Sequence, residues 1–162
     1  MGAAKLRDLL AGIARRVGGT RLGVLAIGRV FSPLQRWLYR TTGGRISLTG
    51  PAPVLLLTTT GRRTGLQRTV PLLYVRDGVR LVICNVNPGF ERPNPWTLNL
   101  RAEPRAQVQV GREILDMTAG EASDEELDQY WPRLKEIWPA YETFYARGGQ
   151  RSIFILEPAP TA

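Results

Sequence analysis

Three runs rich in apolar and β-forming residues follow one another between residues 54 and 86, and their short connections constrain the fold more than any other feature of the chain. Val54-Leu55-Leu56-Leu57-Thr58-Thr59, bounded by Pro53 and Gly61, reads as a buried strand. The polar loop Gly61-Arg62-Arg63-Thr64-Gly65-Leu66-Gln67 leads into a second strand, Arg68 to Val75, in which Pro71 predicts a bulge or kink. Asp77-Gly78 then predicts a tight hairpin turn into a third strand, Arg80 to Val86. Links this short join antiparallel neighbours, because a parallel pair needs a crossover of a dozen or more residues.

The rest of the chain extends that sheet. Asn87 to Pro95 contains three prolines and reads as loop. A short helix is predicted from Trp96 to Ala102, with Asn94 as N-cap and Pro95 at its first position. Ala106 to Val110 and Glu113 to Ala119 form a further strand pair turning at Gly111-Arg112. Ser123 and Glu126 make a capping box that starts a helix over Asp124 to Ile137, with Leu127, Tyr130, Trp131 and Leu134 inward. Pro139 sets off a short helix, Ala140 to Ala146, and Ser152 to Glu157 supplies the last strand. Six mostly antiparallel strands with helices at the margins give an α+β fold or small β-barrel, and 162 residues suffice for one such core.

What is missing narrows the chemistry. The chain has no His and a single Cys, Cys84. That excludes a His general base, a Ser-His-Asp or Cys-His pair, a zinc cluster and an internal disulfide, and no metal site is expected. Cys84 reads as a small buried strand residue. An enzyme built this way draws its difficult chemistry from a bound cofactor.

The formal charge of +8 is unevenly distributed. Residues 1–45 hold nine basic side chains against Asp8 alone, whereas residues 46–162 carry 13 of each sign. The sequence thus divides into a basic amphipathic segment, 1–45, and a formally neutral body, 46–162. In the first, Leu6, Leu9, Leu10, Ile13 and Val17 fall at helical spacing, and a second stretch sets Val30, Leu34, Trp37 and Leu38 against Arg29, Arg36 and Arg40. Such helices either lie on an anionic membrane surface or pack on the domain with a solvated basic face. The longest apolar run, Leu22 to Ile27, is too short to span a bilayer, and no signal-peptide cleavage site is evident. A cytoplasmic protein is expected, with peripheral contact at the inner membrane face as the first of these two readings. No nucleic-acid partner is expected, because the chain offers no strand of interleaved aromatic and basic residues for stacking bases.

The segment Thr58 to Arg68 is the most informative for binding. Two glycines let a loop expose backbone N–H groups, Arg62, Arg63 and Arg68 supply fork-shaped donors, and the threonines add hydroxyls, a combination suited to phosphate or carboxylate. It is not a Walker A loop, which needs Gly-x-x-x-x-Gly-Lys-Ser/Thr opening a helix. An arginine-bearing hairpin exposed to solvent is the other reading.

Several stretches in unbroken order carry a resemblance. Val54 to Thr60, Gly61-Arg62-Arg63-Thr64-Gly65, Pro71-Leu72, Trp96-Thr97-Leu98-Asn99-Leu100, Tyr130-Trp131-Pro132 and Pro139-Ala140-Tyr141 together look like the deazaflavin-dependent nitroreductase family of actinobacteria, over residues 54 to 158. The resemblance implies a split β-barrel that binds coenzyme F420, whose reduced deazaflavin carries a phosphate and an oligoglutamate tail. It further implies hydride transfer to a small acceptor: a quinone, a nitro compound or an activated alkene. Membrane association through the N-terminal segment is known among relatives. Carried over by residue, it puts Arg62, Arg63, Thr64 and Arg68 on the phosphate and tail. Thr69, Val70 and Pro71 fall against the ring, and Cys84, Asn85, Val86 and Asn87 along its other edge. Trp96 and Asn99 match positions near tail and ring. Trp138, Tyr141 and Phe144 match the substrate wall, with Tyr141 as the candidate catalytic hydrogen-bond or proton donor and solvent as its competitor. Asn87-Pro88-Gly89 replaces a Lys-Gly-Gly turn, which removes one positive charge and one backbone donor. The aromatic wall, poor in hydroxyls, points to an apolar acceptor. FMN, haem or a lipid in the same barrel remain the alternatives, since fold does not fix function.

Overall fold

A computed structural model describes residues 32–42, 52–87 and 93–160. The stretches Leu6 to Val17 and Leu22 to Ile27 and the Pro88-Gly89 step lie outside these. Six strands, β1 (Val54–Thr60), β2 (Gln67–Asp77), β3 (Arg80–Asn87), β4 (Arg105–Val110), β5 (Glu113–Glu121) and β6 (Gln150–Pro158), close into a barrel in the order β1-β2-β3-β6-β5-β4. Every ladder is antiparallel. The expected α+β barrel is what the chain forms, and β1 matches its predicted run with one residue added.

Strand alternation sorts the apolar residues between two faces. Leu55 and Leu57 of β1, Leu81 and Ile83 of β3, Val108 of β4, and Phe154 and Leu156 of β6 fill the barrel. Trp96 and Leu100 of helix α2 (Pro95–Ala102) close it. The alternate residues Val82, Cys84 and Val86 of β3 and Ile153 and Ile155 of β6 face outward. They are covered by helices α3 (Asp124–Ile137) and α4 (Ala140–Gly148). Each fully buried Leu, Ile or Phe contributes about 1.5–3 kcal/mol relative to exposure, so both layers matter to stability.

The capping box forms as predicted. Ser123 Oγ accepts from Glu126 N at 3.3 Å, and Ser123 N donates to Glu126 Oε2 at 2.9 Å. Tyr130 of α3 then donates to Asp77 Oδ2 at 2.6 Å, which ties the helix to the β2–β3 hairpin.

One expectation needs correction. No bulge occurs against β1 at Pro71: the β1–β2 register runs residue for residue from Val54↔Leu73 to Thr60↔Gln67. On its other side β2 pairs with β3 only from Tyr74 to Asp77, so the strand around Pro71 is an edge there, where a missing donor is tolerated. Helix α1 (Ser32–Thr42) turns Tyr39 inward, a residue outside the amphipathic stretch read from the sequence. Trp37 is 62% exposed and Leu34 46%, whereas Tyr39 is 3% exposed. Tyr39 faces inward because its hydroxyl has two partners: it donates to Val54 O at 2.8 Å and accepts from Gly111 N at 2.7 Å.

Candidate functional site

The loop between β1 and β2 is a closed turn. Gly61 N donates to Leu66 O at 2.8 Å, and Gly61 O accepts from Thr64 N and Gly65 N at 3.1 and 2.7 Å. A side chain at Gly61 would place its Cβ 2.9 Å from Thr64 Oγ1 and 3.0 Å from Leu66 O, and Gly65 has a φ of +68°. Both positions therefore require glycine. Arg62 N, in turn, donates to Asn99 Oδ1 of α2 at 3.2 Å, while Asn99 Nδ2 donates to Thr59 Oγ1 of β1 at 3.1 Å. Asn99 is 4% exposed and Thr59 fully buried. Through this one amide, α2 braces the start of the loop against the barrel wall.

These bonds change how the loop can meet an anion. The sequence suggested exposed backbone N–H groups, yet those of Gly61, Arg62, Thr64 and Gly65 are spent within the turn or on Asn99, leaving Arg63 N. Attraction for an anion must come from the guanidinium side chains.

Those side chains line a cavity of about 590 Å³ at this end of the barrel. Arg62, Arg63, Thr64, Arg68, Thr69 and Val70 contribute from the loop and β2, Trp96 and Asn99 from α2, and Arg36 and Arg40 from α1. No Asp or Glu is among its lining residues. Among the described residues none of these five arginines forms an ion pair, although six other basic–acidic pairs do form. Trp96 is 3% exposed, and its Nε1 is the buried side-chain polar atom left without a partner among the described residues. A cationic cavity with no acid in its lining suits a ligand rich in anionic acceptor oxygens.

The structure brings most of the sequence-predicted binding residues together. Of the thirteen, Arg62, Arg63, Thr64, Arg68, Thr69, Val70, Trp96 and Asn99 line the cavity. Asn85 accepts from the cavity residue Asn94 at 3.4 Å, which puts it at the rim. Pro71 lies one step along β2 from the lining residue Val70, and Asn87 ends β3 opposite Gln150. Cys84 and Val86 point the other way, because strand parity sends them to the outer layer with Tyr141. Burial pushes the Cys84 thiol up to about 12, against the opposing influence of Arg151, so it is no nucleophile near neutral pH.

Trp138, Tyr141 and Phe144 are gathered, but not at this cavity. Trp138 meets Tyr141 edge-on with ring centroids 5.0 Å apart and Phe144 at 5.5 Å, and all three pack over β3 and β6. Tyr141 is 5% exposed, and burial, followed by proximity to Cys84, holds its phenol well above the ordinary range. Sequence reasoning missed Tyr39 and Thr59 and the role of Arg36 and Arg40. The available signals were the i, i+4 spacing of the two arginines and the odd-numbered, inward parity of Thr59 in β1.

The sequence profile of the F420H(2)-dependent quinone reductase family matches residues 32–158. F420H(2)-dependent quinone reductase Rv1261c of Mycobacterium tuberculosis is 40% identical over 84 residues, 51% of this chain and 56% of the relative. The chain thus spans little more than half the length of that relative. Among solved structures, an F420-H2 dependent reductase (FDR-A) is 32% identical with a TM-score of 0.59, covering 65% of this chain and 94% of that one. Another, described as a domain-swapped dimer, is 31% identical with a TM-score of 0.62, covering 77% and 94%.

Proposed function

The chain belongs to the F420H(2)-dependent quinone reductase family, and from that premise we propose that it is a reductase that uses coenzyme F420 to reduce a small electron-poor acceptor, a quinone first among them. The observation that carries this reading is the cavity with five arginines and no carboxylate in its lining. When bound, the reduced cofactor supplies the hydride.

The chain's own residues bind and orient. Arg62, Arg63 and Arg68 hold anionic groups by charge-assisted hydrogen bonds, and Thr64 adds a hydroxyl at the same face. Asn99 fixes the loop that presents Arg62. Thr69, Val70 and Pro71 flank the ring from β2, with Asn85 and Asn87 at the opposite rim. Trp96 offers a flat apolar wall that excludes water. Solvent is the proton source, since Tyr141 does not line the cavity. Nitro compounds and activated alkenes fall within the same acceptor class.

The proposal includes peripheral membrane contact through residues 1–45, supported by their charge and by the exposure of Trp37 and Leu34. No helix among the described residues is long and apolar enough to cross a membrane. In a flotation assay the full chain should rise with anionic vesicles and not with neutral ones. Titration with oxidised F420, followed by deazaflavin fluorescence, tests the cofactor. Saturable binding at micromolar concentration is expected, and a protein that leaves the fluorescence unchanged while binding FMN or haem would overturn the assignment.

A further inference from the structure

Arg36 and Arg40 were expected to belong to a membrane-facing or solvated helix face, yet both line the cavity. Their i, i+4 spacing puts them on one side of α1. Arg36 Nη1 donates to Thr69 O at 2.7 Å, and Arg40 Nη2 donates to Thr69 Oγ1 at 3.2 Å. That hydroxyl also bonds Thr58 Oγ1 at 2.9 Å, so both arginines are anchored to the β1–β2 edge of the barrel. A guanidinium carries five N–H donors, and these bonds occupy one on each. Neither arginine has a carboxylate partner among the described residues.

The helix is held in place from outside the cavity. Tyr39, on the inward side of α1, bridges Val54 O and Gly111 N and is not among the lining residues. The fold therefore fixes α1 where its two cations add to the three of the β1–β2 loop and strand β2, an arrangement of like charge that an anion relieves.

We propose that Arg36 and Arg40 are ligand-binding residues, and that α1 forms the second wall of one five-guanidinium site for a ligand bearing at least two separate anionic groups. One group rests on the Arg62–Arg63 loop and the other against α1. This deepens the cofactor assignment and rests on it for the ligand's identity alone; the charge requirement follows from the cavity.

The experiment uses the full chain and three probes: inorganic phosphate, tripolyphosphate and oxidised F420, each titrated by calorimetry or fluorescence. In R36Q/R40Q the affinities for tripolyphosphate and F420 should fall by about tenfold or more, as expected for two charge-assisted contacts, while phosphate affinity changes by less than about threefold. R36K/R40K keeps both charges and should restore tripolyphosphate binding to within about threefold of wild type. Thermal unfolding of each variant checks that the barrel is intact. Equal tripolyphosphate binding by R36Q/R40Q and wild type overturns the proposal. So does a loss in R36K/R40K as large as in R36Q/R40Q, because it would mark a role in seating α1 and not in meeting anionic charge. A wild type that binds tripolyphosphate in this α1-dependent way but ignores F420 would sink the cofactor assignment and leave the two-walled site standing. A wild type that binds no polyphosphate overturns the two-walled site itself.

Discussion

Arginine is used in two opposite ways on this barrel. Away from the cavity, each guanidinium described here in an ion pair or ring contact has its counterpart within the protein. Arg80 meets Glu157 at 2.7 Å, Arg101 meets Glu121 at 2.6 Å, and Arg133 meets Asp77 at 3.4 Å. Arg151 lies 4.8 Å from the centroids of both Trp131 and Tyr145. At the end closed by α1 and α2, five arginines share a cavity with no acid among its lining residues. The first group is paired within the protein; the second is left to solvent and to whatever anion enters the cavity. The same contrast holds for tyrosine and tryptophan: the rings over β3 and β6 complete a packed layer, whereas Trp96 keeps an unused N–H.

The largest expected effect tests that division directly. R62A/R63A should weaken F420 binding by roughly one to a few kcal/mol, the range for lost charge-assisted hydrogen bonds, and leave the unfolding midpoint almost unchanged, because both side chains are exposed. R101A should do the reverse: a small loss of stability, of the order found for surface ion pairs, with cofactor affinity intact. Titration and thermal melts on the same preparations check both halves. Equal affinity losses would mean that pairing status does not separate ligand-binding from structural arginines.

Next in size is the brace between the two regimes. Asn99→Leu removes the acceptor for Arg62 N and the donor to Thr59 Oγ1, leaving the buried hydroxyl and the loop amide poorly satisfied. A loss of about 1–3 kcal/mol in denaturant unfolding is expected, with the slope unchanged. Cofactor affinity should fall as well, since the loop start is no longer fixed. Asn99 would then act as a positioning residue, distinguishable from Arg62 because its removal lowers stability and affinity together.

Much of this was legible in the sequence, and the failures have specific physical causes. The strands, the Ser123–Glu126 box and the Asp77-Gly78 turn are local signals, and each element formed at or within a few residues of its predicted bounds. The binding loop was legible because arginine and glycine cluster in it. What composition cannot reveal is where donors are spent: the loop amides turn inward onto Gly61 O, Leu66 O and Asn99, partners set by closure of the turn and by the docking of α2. The segment Cys84 to Asn87 was taken as one edge, but period-two alternation divides it between two faces. The inward turn of Tyr39 in helix α1 was not legible, because the two backbone groups that draw it in are supplied only by the tertiary fold.

A smaller effect concerns the satisfied side and its pH dependence. The hydrogen bond from Tyr130, with Arg133 and Arg80 beside it, holds the Asp77 carboxyl below its usual range. Because the folded value is the lower one, the stability from this contact is complete above the unfolded value of 3.8 and is lost as pH falls through the folded value. Tyr130→Phe should therefore be less stable than wild type at pH 6, with the gap closing as the solution is acidified, while F420 affinity stays the same. Unfolding midpoints at several pH values check it, and a gap that persists in acid would assign the loss to packing.

The smallest expected effect is the sharpest test of the comparison. Tyr141 sits at the position where the family resemblance expects a proton donor, but here its ring packs against Trp131 and meets Trp138 edge-on, and its phenol is held protonated by burial. Tyr141→Phe keeps the ring and its edge-on contacts and removes only the hydroxyl. Affinity for F420 should be unchanged, and turnover with a soluble quinone should stay within about twofold, because a general acid contributes about 10²–10⁴-fold where it acts and solvent supplies the proton here. A fall of a hundredfold or more in turnover, with affinity unchanged, would show that the aromatic layer reaches the reacting acceptor, and the two regions would have to be treated as one site.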